Sequence, residues 1–246
     1  MANPTPRDAI AMIPGRIGST RLKMKNLALV DGKPMMAHAI RAAVESGAFS
    51  RVVVNADHPL FAELAREYGA EFYLRPEALG GSDVKSDDVV LDFMNTHPAE
   101  AVAWVNPTSP LQPAAEVRDV VEHFWREGLD SLITVEDKQV HCVVGDTPVN
   151  FSLLGKFAQT QDLAPARGFV YSVMMWRTAP FIENMRRTGY AFFTGKVGYF
   201  PVGRLSALII KRAEDLQLAD LLARAMRQGL PELQYHRLAE TARGEK

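Results

Sequence analysis

Short apolar or β-branched runs alternate along this chain with segments of helical spacing. Runs at 9–13, 52–55, 71–74, 101–105 and 131–135 read as strands. Between them, 35–46, 59–68, 86–96 and 114–127 read as helices, three of them closed by Gly47, Gly69 and Gly128. Ser86 is placed to cap its helix, with Asp87 and Asp88 favourable in the first turn. From 136 to 165 the pattern weakens; a strand at 169–176, a helix at 179–187, a strand at 196–200 and an amphipathic helix at 213–227 follow. Such alternation predicts an α/β fold of Rossmann type, a mostly parallel sheet sandwiched by helices. Ligands of such sheets sit beyond the carboxyl ends of the strands.

The loop after the first strand, 13–27, carries the most specific chemistry. It sets Gly15, Gly18 and Ser19 among Arg16, Arg21, Lys23 and Lys25. Glycines let main-chain N–H groups approach an anion closely, and the basic side chains supply the charge that phosphates need. The spacing is neither that of a P-loop nor that of a dinucleotide fingerprint. Asp57 and the run Asn106, Pro107, Thr108 and Ser109 fall at further strand ends, where they converge on the same edge.

Composition narrows the setting. The 246 residues suit one domain, 1–246, and the formal net charge of -1 gives no reason to expect nucleic acid or an anionic membrane. One cysteine, Cys142, excludes an intrachain disulfide and suits a reducing compartment. The adjacent His141 and Cys142 lack companions at metal-ligand spacing. The first eight residues lack the apolar core of a signal peptide, no run approaches the length of a membrane span, and a cytoplasmic location is expected.

Arg16, Gly18, Ser19, Arg21, Leu22, Lys25 and Asn26 match the loop signature of the CMP-N-acylneuraminate (sialic acid) cytidylyltransferase family, which this chain resembles. Gly15 stands where alanine is usual and Lys23 where proline is usual. Three more blocks fall in the family's order: Asp31 to Met35, Leu74 to Glu77 with Ser82 and Asp83, and Pro107 to Leu111. The resemblance covers the first half of the chain. It implies a nucleotide-diphospho-sugar transferase type of fold, a dimerisation insert at about 136–165 and hence a homodimer. It also implies a reaction of CTP with a sialic-acid-like 2-keto sugar acid, giving a CMP-sugar and pyrophosphate, with Mg²⁺ as the cofactor.

Under that resemblance Arg16, Arg21 and Lys25 grip the phosphates as the catalytic cations, with Gly15, Gly18, Ser19 and Asn26 beside them. Arg75 and Ser86 match positions near cytosine and ribose, and Asn106, Thr108, Ser109, Gln112 and Arg167 match the sugar side. The family usually has glutamine at Asn106 and arginine at Gln112, and of its Arg-Pro-Asn-Gly run only Gly168 is kept in place. Its two metal-binding aspartates, on a strand before the last helix, correspond to Ile209 and Lys211, and 206–212 holds no acid. Three outcomes are therefore distinguished: an active cytidylyltransferase for such an acid, one for a different acceptor, and a catalytically silent nucleotide- or sugar-binding relative. In an active enzyme either Asp57, Asp83 or Glu214 takes a displaced metal, or Lys211 supplies part of the missing charge.

Overall fold

A computed structural model describes residues 8–19, 21–81, 83–229, 232–236 and 238–239. Thr20, Ser82, residues 1–7, on which the expectation about a signal peptide falls, and the last seven residues lie outside them. One seven-stranded sheet organises the chain: β1 (Ala9–Gly15), β2 (Arg51–Ala56), β3 (Glu71–Leu74), β4 (Ala101–Val105), β5 (Ser131–Lys138), β6 (Ala166–Arg177) and β7 (Val197–Pro201). Its spatial order is β7-β5-β6-β4-β1-β2-β3. β1 sits between β2 and β4, parallel to both, with Ile13 opposite Val54 and Ala11 opposite Ala103. All seven residues of β1 are buried, as expected for a parallel strand covered on both faces. β6 alone runs antiparallel, with Val173 opposite Val105, and its ladder to β5 is irregular between Phe169 and Met174.

Among the described residues six α-helices accompany the sheet: α1 (Met35–Ser46), α2 (Phe61–Glu67), α3 (Ser86–Thr96), α4 (Ala114–Arg126), α5 (Thr178–Thr188) and α6 (Ala213–Gln228). On one face Ile13, Val54 and Met175 pack with Ile40 of α1, Phe61 of α2 and Phe124 of α4. On the other, Met12, Val53 and Trp176 pack with Phe93 of α3 and Phe181 of α5. A third, smaller cluster of Val30, Met35, Leu111, Ile210 and Ala219 seats α6 against the edge that carries the strand ends.

Two local expectations change. Ser86 is the first residue of α3 rather than its cap; Lys85 holds the cap position and offers no side-chain bond. Asp87 and Asp88 do stand in the first turn of α3, and Asp87 Oδ1 also accepts the N–H groups of Ala191 (2.7 Å) and Phe192 (3.1 Å), which ties the loop after α5 to α3. The segment before α6 is not a strand: β7 ends at Pro201, and Ile209 and Lys211 lie in a link outside the sheet. The weak stretch resolves into an excursion between β5 and β6, with β5 continuing to Lys138 opposite Ala166 and a small hairpin pairing Val143 with Pro148.

Candidate active site

β1 delivers the basic loop to the carboxyl edge, and buried polar groups fix its course. A Cβ on Gly15 would stand 2.9 Å from Ala56 Cβ and 2.7 Å from Met36 Cε, so here the glycine serves packing of β1 against β2 and α1. The Gly15 carbonyl accepts from Arg75 Nη2 at 2.9 Å. Ile17 N–H donates to Asp57 Oδ1 at 2.9 Å, so one oxygen of that carboxylate is committed to the loop. Arg16 reaches the carbonyls of Gly18 (3.1 Å) and Gly81 (3.2 Å), and Asn26 Nδ2 donates to Arg16 O at 3.4 Å. Met24 adopts left-handed backbone, φ 49°, to turn the chain into the short helix that carries Lys25 and Asn26.

These groups surround a cavity of about 340 Å³ on the α3 side of the sheet. Gly15, Arg16, Ser19, Arg21, Lys25, Asn26, Arg75, Ser86, Asn106 and Thr108 all line it, a convergence of ten residues that the sequence named. Gly18, Ser109, Gln112 and Arg167 do not line it. Ser109 is buried and donates to Ser206 O, holding the link before α6. Gln112 spends its amide on Glu116 (3.0 Å) and Ser172 (3.1 Å). Arg167 pairs with Asp137 at 3.1 Å on the exposed ends of β6 and β5. Six further lining residues carry no chemical signal in sequence: Pro14, Leu79, Gly81, Val84, Val89 and Trp104. Two of these had a positional cue, because Val89 lies one turn beyond Ser86 and Trp104 two residues before Asn106.

The cavity therefore has a cationic side and an apolar side. On the cationic side, burial holds the Lys25 ammonium below the usual lysine range, with Arg21 and Arg16 adding repulsion and Asp215 opposing it. Lys25 Nζ donates to Ile210 O at 3.2 Å. Arg75, 4% exposed, is likewise held below the usual arginine range by burial, and its Nε is buried without a partner. Such cations gain most from an anion entering the site, because they are already stripped of water.

The link before α6 is pinned from three directions: Ile210 N–H donates to Thr108 O at 2.8 Å, Lys25 grips Ile210 O, and Asp215 accepts from Lys211 and Arg212 N–H at 2.8 Å each. Lys211 itself is exposed and does not line the cavity, whereas Lys25 is a lining cation that meets this segment. Asp83 and Glu214 do not line the cavity either, and no group of three or more metal-ligating side chains occurs among the described residues.

A cytidylyltransferase family model matches residues 10–155, more than half of the chain. The chain belongs to the cytidylyltransferase family. Among related sequences, an N-acylneuraminate cytidylyltransferase of Escherichia coli is 34% identical over 142 residues, which is 57% of this chain and 32% of that protein. One of Streptococcus agalactiae is 28% identical over 165 residues, 63% of this chain and 40% of that protein. The chain thus spans less than half the length of either curated relative. The structure of a CMP:2-keto-3-deoxy-manno-octonic acid synthetase complexed with CTP superposes with a TM-score of 0.64 and 15% identity, covering 88% of this chain and 99% of that one. That likeness places the sheet order and helix layers of this chain in a known fold, and the resemblance seen in the basic loop is borne out at the level of family. No helix among the described residues is long and apolar enough to cross a membrane.

Proposed function

We propose that this protein transfers a cytidylyl group from CTP to the anomeric hydroxyl of a sialic-acid-like 2-keto sugar acid. The hydroxyl oxygen bonds to the α-phosphorus as the bond to the β-phosphate oxygen breaks, and pyrophosphate leaves. The observation that carries the reading is the gathering of Arg16, Arg21, Lys25 and Arg75 around one cavity beyond the strand ends. Phosphoryl transfer asks for alignment and for charge placed where negative charge develops, and these side chains supply both. The apolar side, with Leu79, Val84, Val89 and Trp104, suits a flat base, with Ser86 and Arg75 as its polar partners.

Mg²⁺ needs carboxylate and water oxygens. Ile209 and Lys211 offer none, and Asp57 has one oxygen committed to Ile17 N–H, so the residues present do not fit a two-carboxylate magnesium site. No step here runs through a metal held by this chain. The excursion between β5 and β6 is read as a subunit contact of a homodimer, because it leaves Leu153 (73%), Leu154 (90%) and Phe157 (81%) exposed.

Pyrophosphate release from CTP, assayed with a panel of 2-keto sugar acids, tests the proposal. Release that needs both CTP and one acid supports it. CTP binding without release for any acid favours the catalytically silent relative, for which the missing aspartates speak. No CTP binding ends both readings.

A further inference from the structure

The cavity is charged with one sign only. Its described lining residues include four cations, Arg16, Arg21, Lys25 and Arg75, and not one Asp or Glu. Arg16 bonds the carbonyls of Gly18 and Gly81, Lys25 that of Ile210 and Arg75 that of Gly15, and none of the three forms an ion pair among the described residues. Two carboxylates near this edge act on the cations from outside the cavity, Asp57 on Arg75 and Asp215 on Lys25. Both are engaged: Asp57 Oδ1 accepts from Ile17 N–H at 2.9 Å, and Asp215 Oδ2 from Lys211 and Arg212 N–H at 2.8 Å each. The link before α6 has a matching feature. The positions that the family resemblance gives to metal-binding aspartates, Ile209 and Lys211, flank Ile210, whose carbonyl accepts from Lys25 Nζ at 3.2 Å. Ile210 is fully buried and its N–H donates to Thr108 O at 2.8 Å, so this carbonyl is held in place. With one N–H on Ile210, the ammonium keeps further donors for phosphate oxygens.

We infer that this cavity takes the triphosphate free of divalent metal, with Lys25, anchored on the Ile210 carbonyl, supplying the charge that Mg²⁺ would bring. This rests on the nucleotide role proposed above and concerns the form in which CTP is bound. A fully ionised triphosphate carries about four negative charges, and about two once Mg²⁺ is bound. A site with four cations and no acid matches the first form. Attraction between partly desolvated charges weakens as the charge of the ligand falls. Mg²⁺ also asks for carboxylate oxygens beside those of the phosphates, and the lining offers none.

Calorimetric titration of the wild-type protein with CTP, in excess EDTA and in excess Mg²⁺ at equal ionic strength, tests this. Binding in EDTA is expected to be the tighter by about tenfold, the worth of a charge-assisted hydrogen bond. The wild-type comparison needs no variant. Lys25→Met should weaken binding in EDTA by about tenfold or more and bring the two conditions within about threefold of each other. Lys211→Ala, at an exposed position outside the cavity, should keep the wild-type ratio within about twofold. CTP that binds more tightly with Mg²⁺, or equally well in both conditions, overturns the inference and leaves the proposed function standing. Loss of the metal-free preference in Lys211→Ala, or its full retention in Lys25→Met, takes the charge away from Lys25 and overturns it as well. No CTP binding in either condition ends the proposed function and the inference together.

Discussion

The basic loop and the β5–β6 excursion make opposite use of exposed side chains. In the loop, polar groups are pre-oriented: Arg75 and Asp57 clamp its start, and Asn26 and Lys25 its end. In the excursion the polar groups serve only its internal turns, such as Asn150 bonding Val140 O and Ala164 O, while Leu154 and Phe157 face outward. The first region is held in place by bonds within this chain, which fits the proposed triphosphate site. The second leaves apolar side chains exposed, the basis of the proposed dimer contact.

Substitutions that separate the two regions should rank clearly. Lys25→Ala removes a half-buried cation and the tie to Ile210, and should weaken CTP binding by about tenfold to a hundredfold, the range for a charge-assisted hydrogen bond. Arg167→Ala, whose partner Asp137 lies outside the cavity, should change CTP affinity by less than about twofold; calorimetry on both variants decides it. Gly15→Val would drive a branched side chain into Ala56 and Met36, and should cost about 1–3 kcal/mol in a denaturant titration, before any effect on the nucleotide. Leu154→Asp with Phe157→Asp should leave stability and CTP affinity nearly unchanged and convert a dimer to a monomer in sedimentation velocity.

The smallest effects concern pH. Hydrogen bonds from Lys211 and Arg212 N–H hold the Asp215 carboxyl below the usual carboxylate range. Its folded-state pKa is thus depressed, so its contribution to stability is present above the unfolded value of about 3.9 and is lost as pH falls through the folded value. Asp215→Asn should cost about 1 kcal/mol near neutral pH and flatten the acid limb of the stability profile. Lys25 behaves in the opposite sense for function. Its depressed pKa means that the charge is lost below the ordinary lysine value of about 10.4 as pH rises, so CTP affinity should decline on the alkaline side, and Lys25→Arg should push that decline upward.

Much of the fold around the basic loop was legible in the sequence, because there local and tertiary signals agree. The helix at Met35–Ser46 was read to the residue: Gly47 takes the left-handed turn, φ 65°, that ends it. The strand at Ala101–Val105 was read equally well from its apolar run. The start of β6 was missed because Ala166, Arg167 and Gly168 pair with the polar end of β5 and bury too little to leave an apolar run. Gln112 was assigned to the sugar on motif position alone; that its amide is consumed by Glu116 and Ser172, 60 residues apart from it in the latter case, is a property of the packed sheet. Trp104 and Val89 were overlooked for the same reason, since an apolar residue declares itself a pocket wall only when the strands are assembled.

Calorimetric titration of the protein and of Lys25→Ala with CTP, using ATP and GTP as controls, tests the central claim that this cavity is a cytidine triphosphate site built on the basic loop. The account predicts one CTP bound per chain, weaker binding of both purine nucleotides, and at least a tenfold loss in Lys25→Ala. Failure to bind CTP, or equal affinity in the variant, would contradict it.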